Sequence, residues 1–323
     1  MGNLKRNEKT MGSERGIALL LVLWVLTILM VLVLSFSFIT KTETYATLSF
    51  KQGAEKRFLA EAGIERGIME LFYRKQNRGM QVILEGTEVW KIDGTPYKVQ
   101  SGDGEYTVMI TDESAKIDIN AISDANSDIL RNLLKNLGVQ EEEVNTIVDS
   151  ILDWKDPDDL IHLNGAESDY YMSLPNPYKA KNADFDTLEE LLLVKGMTPE
   201  ILYGNGEKRG IIDFLTVNSR KNKFNVNAAP KEVLMAIPGI TPEIADGIIS
   251  YRETQEIKSA GDVGIPQESI GYLTFNDSNI FTIDAVGYKG SEKAGFPIRA
   301  TVIIEEGNKY RYLYYKSPAN IKQ

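Results

Sequence analysis

Residues 16–39 read GIALLLVLWVLTILMVLVLSFSFI: from Ile17 onward the run carries no charge, and only Thr27, Ser35 and Ser37 interrupt it with mild polarity. An apolar helix of this length spans a bilayer. Lys5, Arg6, Lys9 and Arg15 precede it with few acids among them, so the positive-inside bias holds the first residues in the cytoplasm and sends the chain beyond Ile39 outward. Hydropathy alone admits a plain signal anchor. The junction is more particular: Glu14-Arg15-Gly16 meets Ile17 at once, so the glycine stands before the apolar run, whereas a secretory signal places its small-residue cleavage site after it.

Beyond the apolar run, residues 40–73 keep a helical pattern, with Phe50, Ala54, Phe58, Ala62 and Ile68 or Met69 on one side and Lys51, Lys56, Arg57 and Glu65 on the other. One long helix is predicted, half of it in lipid. Small residues at Ala60, Ala62 and Gly63 permit close approach to a sheet. Alternating β-prone stretches come next at 89–92, 97–100 and 106–111, and the pattern resumes only at 280–286, 298–305 and 310–315, the last two joined by Glu306-Gly307-Asn308 as a hairpin. The block between is mainly helical. Strands on both sides of such a gap predict one antiparallel sheet with a helical insertion, because sheet edges are completed rather than left open.

Inside the block a unit repeats. ELLLVKGMTPEI (190–201) aligns without gaps on VLMAIPGITPEI (233–244), and 133–148 fits more loosely around Gly138 and Val139. Each reads as helix, glycine turn, capped helix, with Thr198 and Thr241 as N-caps and Pro199 and Pro242 at the first helical position. The unit at Pro238-Gly239-Ile240 resembles a helix-hairpin-helix, which in DNA-binding proteins holds phosphate on backbone amides. Here Thr241 replaces the second hairpin glycine and the flank carries Glu243 and Asp246, so phosphate would meet acids. The motif is read as structural, with Ile240, Ala245, Ile248 and Ile249 as core. The segment 225–230 (NVNAAP) is a turn and cap into a helix near Lys231, and Lys116-Ile-Asp118-Ile-Asn120-Ala121 is its counterpart ahead of the first unit.

Between the first two units lies DWKDPDDLIHLNGAESDYY (153–171), with six carboxylates, Asp153, Asp156, Asp158, Asp159, Glu167 and Asp169. Such a loop is either solvated or bridged by a hard divalent cation. Its spacing is no EF-hand. His162 has no second imidazole anywhere in the chain and is read as a bystander. The sequence as a whole, with 46 acidic and 36 basic residues and a net charge of -10, disfavours nucleic acid as a partner. The absence of Cys and the single His leave no thiol nucleophile, thiolate metal centre or ordinary His triad, and an envelope hydrolase has only the acidic loop in its favour.

The Gly16–Ile17 junction resembles a prepilin leader, in which a prepilin peptidase cuts after the glycine; Met11 is an alternative start, and Ile17 stands where the family usually has Phe. Leu21 falls at the fifth position after the cut, where most pilins carry a glutamate; its loss is a mark of the minor pseudopilin K (GspK) family of type II secretion. FLAEAGIERG (58–67), the insertion, and the Asp-Trp-x-Asp-x-Asp and Gly-Ala-Glu-x-Asp-x-Tyr patterns of the acidic loop are similar to that family as well. The resemblance implies an α+β, type IV pilin-like fold, a long N-terminal helix on a small antiparallel sheet with a large helical insertion.

It further implies structural calcium on Asp153, Asp156, Asp158, Asp159, Glu167 and Asp169, with Asn164 a weaker candidate. The expected organisation is a leader at 1–16, a transmembrane half-helix at 17–39, helix and first strands at 40–112, insertion parts at 113–216 and 217–279, and returning strands at 280–323. The implied function is a non-catalytic tip subunit that initiates or crowns a pseudopilus for protein export across the outer membrane. It would be held in the inner membrane by one span with its bulk outside the cytoplasm, and would partner minor pseudopilins I and J, and H. A minor pilin of a type IV pilus or DNA-uptake system is the alternative.

Overall fold

A computed structural model describes residues 11–78, 89–206, 208–221, 223–290 and 294–321, with side chains from Gly16 onward. Lys5, Arg6 and Lys9 of the basic flank lie outside the described residues. The chain forms two compact units, 1–56 and 57–323. Helix α1 (Met11–Asn77) contributes to both.

In the first unit α1 is bare. Its apolar side chains from Ile17 to Phe50 are exposed, and among the described residues it is the one helix long and apolar enough to cross a membrane. The hydroxyls of Thr27, Thr42 and Thr44 donate to the carbonyls of Trp24, Phe38 and Thr40, which satisfies them without water.

In the second unit the rest of α1 covers a five-stranded sheet ordered β1-β2-β7-β8-β9, all neighbours antiparallel: β1 (Asp93–Ser101), β2 (Gly104–Asp112), β7 (Ile280–Lys289), β8 (Phe296–Ile304) and β9 (Tyr310–Lys316). The helix is rotated from the predicted face. Ala60, Gly63, Ile64, Gly67, Ile68 and Leu71 are buried, whereas Phe58 is 65% and Met69 62% exposed, and Ala62 is exposed too. Closeness sets this phase. A Cβ on Gly63 would lie 2.9 Å from that of Ala285, and one on Gly67 would lie 2.7 Å from Ile283 Cγ2, so the helix turns its glycines, not its phenylalanine, to the strands. Residues 89–92, expected as a strand, precede β1 as an irregular segment; Ile92 is buried there, and Trp90 stacks on Tyr97 at 4.4 Å.

The insertion leaves the sheet after Asp112 and returns at Ile280; Asp112 pairs directly with Phe281. It contains β3 (Ile117–Asp118), α2 (Ser127–Asn136), α3 (Glu141–Lys155), α4 (Ser168–Met172), α5 (Pro199–Tyr203) and β4 (Leu215–Thr216), then β5 (Phe224–Asn225), α6 (Lys231–Ala236), α7 (Pro242–Thr254), α8 (Gln267–Ile270) and β6 (Leu273–Thr274). β3 pairs with β4 and β5 with β6, both parallel. The three repeats turn on Gly138, Gly196 and Gly239, with φ of 87°, 85° and 85°, where a Cβ would be strained. Thr198 and Thr241 cap α5 and α7 by accepting from the amides of Ile201 and Ile244. One expectation changes: the first element of the middle repeat, Leu188–Leu193, is a 3-10 turn, too short for an α-helix before its glycine.

The insertion shares a core with the sheet. Its root is polar but satisfied: Asp112, fully buried, accepts from the Ser114 amide and hydroxyl, from Asn225 Nδ2 at 2.8 Å and from the Ser278 amide at 3.0 Å. Arg74, near the end of α1, bonds Asp277 at 2.7 Å and Glu256 at 3.1 Å, and Arg78 bonds Glu256 at 2.7 Å.

Candidate cation site

Helix α3 delivers the deepest carboxylate of the acidic loop. Its apolar stripe, Val144, Ile147, Val148 and Ile151, is fully buried, which fixes the helix roll and carries Asp153 and Trp154 inward in the last turn. Trp154 meets Tyr171, Tyr178 and Phe185 at ring-centroid distances of 5.1, 6.1 and 6.5 Å, an aromatic floor that lowers the local dielectric. The chain leaves α3 at Asp156, loops outward through 157–161 and comes back over Asp153. A Cβ at Gly165 would fall 1.8 Å from Asp153 Oδ2, so only glycine lets backbone and carboxylate pass. Glu167 then enters at the N-terminus of α4, 3% exposed.

These groups carry more oxygen than the described protein satisfies. Asp153 Oδ2, Asp156 Oδ1 and both carboxylate oxygens of Glu167 are buried without a hydrogen-bond partner among the described residues. Burial, with the fields of Asp153 and Asp156, pushes Glu167 up to about 7. Asp156 is raised by burial and by its neighbours Asp158 and Asp153. An orphaned, like-charged, buried set is costly unless a cation joins it.

The bystander reading of His162 is overturned. Its amide donates to Asp153 Oδ1 at 3.1 Å, its Nδ1 contacts the same oxygen, and its Nε2 lies 2.9 Å from Asp124 Oδ1. One ligand atom each from Asp153, Asp156 and His162 lies within 4.8 Å of the others. Burial pulls the imidazolium down, but the hydrogen bonds to Asp153 and Asp124 outweigh it and the pKa is raised.

The predicted set therefore divides. Asp153, Asp156 and Glu167 carry the buried, unpartnered oxygens, while Asp158, Asp159 and Asp169 stand at the surface; Asp158 spends one oxygen on the Leu160 amide at 2.9 Å. Asn164 turns away, donating from its amide and its side chain to Asp149, which Arg131 also holds. Asp124, contributed from ahead of α2, has no mark in the sequence as a participant, since only the fold brings it to His162. At the other end of the chain, Gly16, Ile17 and Leu21 lie in α1, with Ile17 and Leu21 each 59% exposed.

A long N-terminal helix packed by its second part on an antiparallel sheet, with a helical block inserted between two neighbouring strands, defines a type IV pilin-like α+β protein. Within that class the similarity falls on protein K of type II secretion. Residues 115–203 match the family model for type II secretion system protein K, and residues 219–263 match the helix-hairpin-helix motif. The type II secretion system protein K of Pseudomonas aeruginosa is 29% identical over 198 residues, 59% of this chain and 57% of that protein. That of Klebsiella pneumoniae is 31% identical over 206 residues, 57% of this chain and 58% of its own length. The chain thus spans less than two thirds of these curated relatives. A chain in the crystal structure of the GspK-GspI-GspJ complex from the enterotoxigenic Escherichia coli type 2 secretion system matches with a TM-score of 0.60 and 14% identity, covering 86% of this chain and all of that one. That likeness carries the fold.

Proposed function

We propose that this chain is a minor pseudopilin of type II secretion, a non-catalytic subunit that sits at the tip of the pseudopilus and supports export across the outer membrane. The carrying observation is the insertion between β2 and β7: it couples a protein K segment to a pilin-like helix and sheet in one chain. α1 would anchor the chain in the inner membrane by a single span after prepilin peptidase cuts between Gly16 and Ile17. The missing carboxylate at Leu21 suits a subunit with no neighbour above it, since a buried carboxylate needs a partner amine. Minor pseudopilins I and J are the partners this reading names. For the DNA-uptake alternative the hairpin of 219–263 would have to hold phosphate, yet Glu243 and Asp246 flank it and Asp246 already pairs with Lys231.

Two experiments test the reading. Co-expression with and without a prepilin peptidase, then intact mass and N-terminal sequencing, is expected to give a product starting at Ile17 only with the enzyme; an intact Gly16–Ile17 bond in both samples would remove the pilin class. The processed chain is then expected to co-purify with subunits I and J.

Calcium is part of the same proposal. Buried orphan oxygens on Asp153, Asp156 and Glu167 fit an ion that takes six to eight oxygens in a flexible cage, with the exposed Asp158, Asp159 and Asp169 as the further ligands this reading names. Chelation is expected to lower the melting temperature and calcium to restore it, with the gain scaling as the logarithm of free calcium over its dissociation constant. A melting temperature indifferent to both would refute calcium.

A further inference from the structure

β9 ends the five-stranded sheet, and among the described residues no strand pairs with its outer edge. We propose that this edge takes a β-strand from another chain, one that alternates apolar and acidic residues. The inference goes beyond the assembly role above and rests on the sheet alone.

The backbone groups of an open edge are a template for pairing, and natural sheets blunt such edges with short strands, proline or charge. β9 is seven residues long, contains no proline and is rich in aromatic side chains. Tyr310, Tyr312, Tyr314 and Tyr315 are between 37% and 45% exposed although β8 pairs with their other side. Three of these rings form a fixed row beside α1: Phe72 meets Tyr310 at 6.3 Å, Tyr310 meets Tyr312 at 5.5 Å and Tyr312 meets Tyr315 at 5.6 Å, while the Tyr312 hydroxyl donates to Glu65 at 3.2 Å. Side chains held in one arrangement beforehand lose little entropy when a partner covers them.

Charge selects the partner. Residues 309–316 carry Lys309, Arg311 and Lys316 and no acid, on a chain whose net charge is -10. Asp284, Arg299 and Lys316 are successive neighbours across β7, β8 and β9. Asp284 takes Arg299 through both oxygens at 2.6 and 2.8 Å, so Lys316 faces a cation already spoken for and has no acid of its own among the described residues. Arg311 lies 3.6 Å from Glu305 with both side chains well exposed, a weak pair. A second copy of β9 would bring further bases and neutralise none, whereas an acid on an added strand would continue the alternation beyond Lys316. Because successive side chains of a strand point to opposite faces, Arg311 stands opposite in sense to Tyr310 and Tyr312, and the complementary strand carries acids on one face and apolar residues on the other.

The test titrates the full-length chain in detergent with a dye-labelled, end-capped peptide of alternating valine and glutamate, read by fluorescence anisotropy. Two control peptides accompany it, one with lysine in place of glutamate and one with alternate backbone amides methylated, which keeps the side chains and removes main-chain donors. The glutamate peptide is expected to bind saturably, and each control at least about tenfold more weakly. In the double variant Arg311→Glu, Lys316→Glu, both positions being exposed, the glutamate peptide should lose about tenfold in affinity and the lysine peptide should gain, a swap that an unfolded chain could not give. Absence of binding, equal binding of the methylated or the lysine peptide, or affinities unmoved in the double variant would overturn the proposal. Chemical cross-linking that joins β9 of one copy to β9 of a second would assign the edge to self-association and overturn it too.

Discussion

The two halves of the insertion are built alike, yet only one of them carries the candidate cation cluster. The first opens with KIDINA (116–121) on β3 and the second with KFNVNA (223–228) on β5. In both, the side chain at the third position accepts from the amide two residues on, Asp118 from Asn120 and Asn225 from Asn227. In both, the next asparagine along clasps the backbone of a distant residue through its side-chain amide. Asn120 holds Phe185 at 2.7 and 3.0 Å, and Asn227 holds Ile257 at 2.8 and 2.9 Å. A cation from the second helix then closes each turn: Lys155 donates to the Asn120 and Ile122 carbonyls, Arg252 to those of Val226 and Ala229.

The halves differ in the path between helix and clasp. From the end of α7 the second half reaches Ile257 almost at once, whereas from the end of α3 the first half wanders through 156–184 before Phe185. The candidate site lies in that excursion, with Asp153 and Asp124 as its anchors in the shared scaffold. A long loop with little regular structure must find its own stabilisation. On the calcium proposal an ion at the buried oxygens of that loop would supply it, and the compact half has no counterpart to the excursion.

Substitutions at matching positions can break or sharpen this comparison. Ile147→Ala and Ile248→Ala remove equivalent fully buried side chains from the second helix of each half, and each is expected to cost about 2–5 kcal/mol in urea unfolding of the full chain; a large gap between them would show that the halves do not share one packing scheme. Asn120→Ala and Asn227→Ala each strip a clasp of two backbone bonds, with an expected loss of about 1–3 kcal/mol. Only Asn120→Ala should also blunt the response of the melting temperature to cation, because it frees the end of the excursion. Smallest is the cap. Thr241→Ala should cost about 1 kcal/mol, whereas Gln140→Ala should cost close to nothing, since Gln140 makes no side-chain cap bond at the start of α3.

Much of this is legible in the residues. The apolar run, the returning strands and the glycine-centred repeats are periodic signals, and each leads to its element except the first helix of the middle repeat, which is a 3-10 turn. The sheet-facing side of α1 is misread when bulky apolar residues are weighted over Gly63 and Gly67; close packing on a sheet rewards the side chain that is absent, and hydrophobic pattern cannot register that. The acidic loop announces itself by composition, and Asp153, Asp156 and Glu167 are among its candidates. Their separation from Asp158, Asp159 and Asp169 depends on which carboxylates the Trp154 floor and Gly165 draw inward. His162 lacks a second imidazole to point to it, although carboxylates can complete a histidine site. Asp124, distant in sequence, gives no local sign.

The pairing of Asp112 with Phe281 has a consequence for how the chain reaches this state. The central strands β2 and β7 cannot zip until everything between them has been gathered in, and closing a flexible loop of that length costs about 4–5 kcal/mol of entropy. A prefolded insertion presents its two ends side by side and shortens that search to a few residues. The helical block is therefore expected to act as a folding clip for the sheet, with the long-range pairing of β2 and β7 as the slow step that it shortens.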